Sequence, residues 1–218
     1  MTTEDTRDPE QPQEAIDLRD QLLALFLAAT RGDTAAGETL RQLGAWNAGE
    51  DRPPQLVLAG NRRVFQEWGE LHPAFAGEES LLRDRARRYA AAWSWIQSDA
   101  LAGKPLECAR AAWDAGLFLE VHELVEGVWR DASEAERPAL QGWILAATGL
   151  YRLAEGDLAT AGEMLGEADP ILRDRLVPEP YDWSAFATAI QAICEAIAGG
   201  EIRTAEDLRD IPRLEKSR

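Results

Sequence analysis

Apolar residues recur at helical spacing along most of the chain, and no run alternates with period two for long enough to predict a strand. From Glu14 to Thr30 the residues Ile16, Leu18, Leu22, Leu23, Leu25, Phe26 and Leu27 predict a helix that Gly32 stops. A second helix is expected over 33–43, after which Asn47, Gly49, Pro53 and Pro54 mark a turn-rich connection. Helix is expected to resume near Gln55 and run toward Glu70, carrying Leu56, Val57, Val64, Phe65 and Trp68. His72 stands before Pro73, which biases its neighbour away from helical dihedrals, so this histidine reads as a surface or capping residue. A long helix is predicted over 80–102, with Ser80 as N-cap and Gly103 as terminator.

Pro105 opens the next helix at a position where its missing N–H does no harm, and Gly116 turns the chain after Asp114. Helices follow over 117–131, 134–155 and 158–168, with Gly156 and Asp157 turning the chain between the last two. Pro170, Pro178 and Pro180 are expected to break up the segment before a helix over 183–198, and Gly199 and Gly200 separate a short C-terminal one. Gly116, Gly156 and Gly200 each begin a pattern of glycine, large apolar residue two on, and an acid followed by a large apolar residue, with Gly32 as a weaker fourth copy. Repeated helix-turn-helix units would produce this, and so would any hairpins with glycine past one helix and an acid near the start of the next.

The fold class expected is all-α: antiparallel helical hairpins forming a multi-helix bundle, in a repeat-like arrangement. The organisation expected is a disordered acidic tail over 1–13, a helical N-terminal region over 14–104, a core over 105–177, and C-terminal helices over 178–218 packing on that core.

Charge narrows the partners. Across 218 residues, 39 Asp and Glu against 23 Lys and Arg give a net charge of -16, which disfavours nucleic acid, since duplex binding needs a basic surface. The local exception is Arg83, Arg85, Arg87 and Arg88, which read as a solvated, ion-paired helix face. Leu22 to Ala29 is too short to span a bilayer, and Glu14, Asp17 and Asp20 precede it where a signal peptide would carry positive charge, so a soluble cytoplasmic protein without membrane partners is expected. Cys108 and Cys194 form no CxxC or Cys/His cluster and read as buried free thiols. Whether the partner is a small molecule or a protein is left open, as is a homo-oligomer.

Candidate chemistry concentrates in Ala112 to Arg130, where Glu120, His122, Glu123 and Glu126 crowd one helix. At roughly 100° per residue, His122, Glu123 and Glu126 fall within one arc, which Glu120 extends, while Val121, Leu124, Val125 and Val128 take the opposite side. Carboxylates this close repel unless solvated, protonated or neutralised by a cation. His122 and Glu126, four apart, could share a divalent metal with Glu123 beside them as general base and Glu120 completing the shell. This has the logic of HExxH hydrolase helices with the second histidine replaced by Glu126. One helix rarely fills a coordination sphere, so the next helix is expected to contribute, with Glu155 as candidate ligand and Gln141 as orienter. The alternative is a polar network bracing two helices. Trp113 and Trp129 are expected near this region, either as core or as ring faces for an organic cation.

The run Trp113-Asp-Ala-Gly-Leu-Phe-Leu-Glu-Val-His-Glu-Leu-Val-Glu-Gly-Val-Trp, followed by Leu140-Gln-Gly-Trp-Ile and Leu150-Tyr-Arg-Leu-Ala-Glu-Gly-Asp, resembles the domain of unknown function family 309. That family is helical, centres on an EAHE-x-x-E-x-x-W motif and carries the label of a predicted metal-dependent hydrolase. The resemblance covers about residues 106 to 176, and Glu120, His122, Glu123, Glu126, Trp129, Gly116, Gln141, Gly142 and Gly156 match it. It implies the same fold and a divalent metal at the acid/histidine motif. Two positions depart: Leu145 and Arg152 stand where the family commonly has Gln and His. Arg152 is therefore expected as a direct neutraliser of the carboxylates in the non-enzymatic alternative, a helical interaction or small-ligand binding module.

Overall fold

Glycines that adopt a left-handed backbone set the ends of the hairpins. The computed structural model describes residues 13–49, 54, 56–58, 62–66, 70–173, 181–208 and 211–214, so of the tail expected over 1–13 only Gln13 is described, and it begins the first helix. Gly32, Gly116, Gly156 and Gly200 have φ of 99°, 71°, 85° and 74°. At each, the glycine N–H bonds the carbonyl three residues back, and the next N–H reaches five back: Asp33 to Ala28 (3.1 Å), Leu117 to Ala112 (2.9 Å), Asp157 to Arg152 (2.9 Å) and Glu201 to Ala196 (2.8 Å). The repeated glycine pattern thus corresponds to one repeated C-cap, which satisfies carbonyls that the helix end leaves open.

The resulting helices are α1 (Gln13–Thr30), α2 (Thr34–Ala48), α3 (Glu79–Ser98), α4 (Pro105–Asp114), α5 (Phe118–Asp131), α6 (Arg137–Ala154), α7 (Leu158–Arg173) and α8 (Trp183–Ala198). The chain divides into two compact units, 1–90 and 91–218, with the division inside α3. In the second unit α4 packs on α5, α5 on α6, α6 on α7 and α7 on α8. Turns of three residues between α4 and α5, and between α6 and α7, force the chain back on itself. The bundle of helical hairpins expected from the sequence is therefore the architecture observed.

Several boundaries differ from expectation. α2 runs on to Ala48, because Gly49 at φ 77° supplies the left-handed cap that ends it. Asn47 is accordingly helical. The helix expected over 55–70 is replaced by a short ribbon, β1 (Val57–Leu58) antiparallel to β2 (Arg62–Arg63), with Val57 opposite Arg63 and Leu58 opposite Arg62. An isolated bridge between Phe65 and Leu71 continues it. Strands of two residues leave no periodicity to read. Leu56, Val64 and Phe65 are buried there, and Phe65 meets the Trp46 ring edge-on at 4.9 Å. Trp68 lies outside the described residues.

His72 caps a 3₁₀ segment, Pro73–Glu78, by accepting the Ala74 N–H at its Nδ1 (3.3 Å). That segment runs directly into α3, so Ser80 lies inside the helix and is not its cap. α3 stops at Ser98 with Ala100 in the left-handed region (φ 51°), earlier than Gly103 would have it. α7 continues through Pro170 to Arg173. The single bond lost there falls in the last turn and is offset by burial of Ala168 and Leu172. The C-terminal helix expected after Gly200 is only a 3₁₀ turn, Ala205–Asp207.

In the second unit Trp113 stacks edge-on with Phe118 (5.3 Å) and Phe186 (5.0 Å), and Trp183 with Trp143 (5.7 Å). Small residues let α6 and α7 approach closely. A Cβ built on Gly142 would lie 2.8 Å from Leu172 Cγ, and one on Gly149 would lie 2.7 Å from Leu165 Cγ. Cys108 is buried, its thiol pushed up to about 11 chiefly by that burial, whereas Cys194 is half-buried. On α3, Arg83 pairs with Glu79 (2.8 Å), and Arg87 and Arg88 with Asp84 (2.7 and 2.6 Å), the ion-paired surface read from the sequence. No helix among the described residues is long and apolar enough to cross a membrane.

The glycines separate packing from propensity. Gly149→Ala should cost about 1–3 kcal/mol by overpacking against Leu165. Gly127→Ala, in α5 with nothing within 4 Å of its Cβ position, should gain about 0.5–1 kcal/mol. Urea melts of the two variants check this, and equal shifts in one direction would contradict the packing account.

Candidate metal centre

Placement of the acid/histidine face begins at Gly116, because the turn there fixes where α5 starts and hence which residues point inward. Phe118, Val121, Leu124 and Val125 are buried, and His122, Glu123 and Glu126 are left half-exposed on the other side. One ligand atom from each of these three lies within 4.8 Å of the others. Side-chain exposure is 30% for His122, 37% for Glu123 and 31% for Glu126, so the group faces water at the edge of the bundle.

His122 Nδ1 is 3.3 Å from Glu123 Oε1. A carboxylate only accepts, so a hydrogen bond in this pair takes its proton from Nδ1. Two carboxylates with oxygens within 4.8 Å of each other repel by on the order of 1 kcal/mol when water screens them, too little to require an ion. Part of that repulsion is relieved by Arg130, whose Nη2 lies 2.9 Å from Glu126 Oε2 one turn along the helix. Atoms bound to one ion at roughly 2.0–2.2 Å lie at most about 4.4 Å apart, so side-chain rotation alone would close the group.

The remaining sequence candidates are placed as follows. Glu120 is fully buried in the first turn of α5 and does not belong to the three-residue group. The angular arithmetic explains this: Glu120 lies roughly 40° from buried Leu124 but roughly 60° from Glu123. Glu155 is exposed at the C-terminal cap of α6, and Gln141 is half-buried on α6; neither joins the group, which draws on α5 alone. Arg152 is exposed, its guanidinium 5.9 Å from the Tyr151 ring, and it helps lower the Asp157 carboxyl after the Thr160 hydrogen bonds. It forms no ion pair with Glu123 or Glu126 among the described residues, and the neutraliser is Arg130 instead. The i,i+4 rule for Glu and Arg on one helix was the signal that could have found it. Trp113 is core, with its indole N–H donating to the Pro212 carbonyl. Trp129 is half-buried under the Arg137 guanidinium, 5.7 Å from the ring centroid.

Sequence reasoning also missed a polar face on α4. Arg110 lies 3.6 Å from Glu107 and 4.4 Å from the centroid of Trp95. Tyr181, far along the chain, completes it, with a phenol pushed up to about 12 first by burial and then by Glu107. Burial likewise raises the Asp114 carboxyl, although Arg110 and Arg213 pull it down. A carboxyl raised on folding holds its proton more tightly in the folded chain. The stability it contributes is full below the ordinary aspartate range near about 3.9, and is lost as pH rises through the raised value. Asp114→Asn should therefore be more stable than wild type at pH 7, with an advantage that shrinks as pH falls toward about 4. Urea melts across that range check it, and an advantage growing in acid would contradict the sign.

Residues 106–164 match the family model described as Domain of unknown function (DUF309). No curated protein and no solved structure matched the chain.

Proposed function

We propose that the α5 face of the segment 106–164, which matches the family model described as Domain of unknown function (DUF309), is a divalent-metal site of a hydrolase-like protein. The observation that carries this reading is the donor set: one imidazole and two carboxylates, each offering an atom within 4.8 Å of the others. That set suits zinc or another first-row divalent ion, and with His122 and Glu126 as the donors from this helix positions are left open for water. His122, through Nε2, and Glu126 would hold the ion. Once bound, the ion would lower the pKa of a coordinated water toward neutrality.

Glu123 has two tasks in this account. One oxygen accepts from His122 Nδ1 and fixes the ring, and its carboxylate takes the proton that an attacking water must lose. Glu120, fully buried on the same helix, would stay out of contact with the reacting water. The half-exposed position gives a substrate direct access, and the open setting suits a group presented by a flexible or extended molecule.

A second reading is favoured by one observation. Arg130 already pairs with Glu126 at 2.9 Å, which is what a purely structural network in a helical binding module would contain.

Elemental analysis separates the two. Purified wild type should carry near-stoichiometric divalent metal. His122→Ala and Glu126→Ala should each weaken binding at least about tenfold, as the loss of even an outer partner does. A metal-free wild type that folds normally and takes up no divalent ion on dialysis would leave the structural network as the answer.

A further inference from the structure

We propose that Arg130 is a tethered competitor for the cation at the α5 site: its guanidinium holds Glu126 in the metal-free protein and is expelled when a divalent ion binds. This rests on the metal reading above and adds a regulation of that site.

Arg130 belongs to the last turn of α5, where the helix dipole favours a positive charge. At roughly 100° per residue it falls between Glu126 and Glu123 in azimuth, so it leans over the face that would hold the ion. Its Nη2 is 2.9 Å from Glu126 Oε2. Only one of the two partners can leave: the Arg130 side chain is 65% exposed, and Glu126 31%. A guanidinium so exposed exchanges its carboxylate for water at little cost. A dication drawn onto Glu126 would both repel it and take over its partner.

The opposite arrangement has the guanidinium keep one Glu126 oxygen and orient the other toward the ion. It predicts the opposite sign, since loss of Arg130 would then weaken metal binding. The exposure of Arg130 and the like charges favour competition.

Arg137 provides the control. Its Nη2 donates to the Arg130 carbonyl at 3.3 Å, so it puts a second positive charge nearby, stacked over Trp129 and with no bond to Glu126. The experiment is zinc titration of the full chain by calorimetry in wild type, Arg130→Gln and Arg137→Gln. The Arg130 Nε–H resonance is followed alongside in wild type.

Arg130→Gln should tighten zinc binding about twofold to fivefold, the range of an exposed ion pair. Arg137→Gln should change it less, and zinc should shift the Arg130 Nε–H signal toward that of a free arginine. Unchanged or weaker binding in Arg130→Gln, with wild type still binding zinc, would overturn the competitor role and leave the metal site standing. Equal tightening in both variants would also overturn it, by assigning the effect to general charge. A wild type that binds no zinc at all would remove the metal site itself, and this proposal with it.

Discussion

The left-handed turn at Gly116 is the constraint on which the site depends. With φ at 71° and the Leu117 N–H closed onto the Ala112 carbonyl, α5 has one starting residue and one rotational phase against its neighbours. Phe118, Glu120, Val121, Leu124 and Val125 then face inward, and His122, Glu123 and Glu126 lie half-exposed on the other side. A slip of one residue would rotate that face by roughly 100° and bury the histidine and its acids. The close approach of α6 and α7 at Gly142 and Gly149 packs the layer behind α5 tightly.

That geometry makes two kinds of carboxylate from one motif. Glu120 lies inside the bundle, and Glu123 and Glu126 at its edge, within reach of water. Burying a charge is costly unless it is paired, so a buried glutamate belongs to the support of the helix. The exposed pair can instead exchange partners, and its mutual repulsion is small enough for Arg130 to offset.

How much of this was legible in the sequence depended on periodicity. The α5 stripe, the hairpin glycines and the α6 apolar face are strong 3.6-residue signals, and they carry the helical-bundle architecture. The ribbon at β1 and β2 is not legible, because two-residue strands carry no period. Glu120 lies on the arc of the acids but nearer in azimuth to buried Leu124 than to Glu123, which arc width alone does not reveal. The Glu126–Arg130 pair, one helical turn apart on α5, is legible from the i,i+4 rule. The Tyr181 partner of the α4 polar face is separated from it by three helices, and no local pattern reveals a contact of that kind.

The central claim is that the exposed face of α5 is a cation site. It is tested most directly by a crystal structure of the full chain grown with zinc, with anomalous data collected at the zinc edge. The account predicts one strong anomalous peak roughly 2.0–2.2 Å from His122 Nε2 and a Glu126 oxygen. The absence of a peak there at saturating zinc, with Glu126 still paired to Arg130, would contradict it.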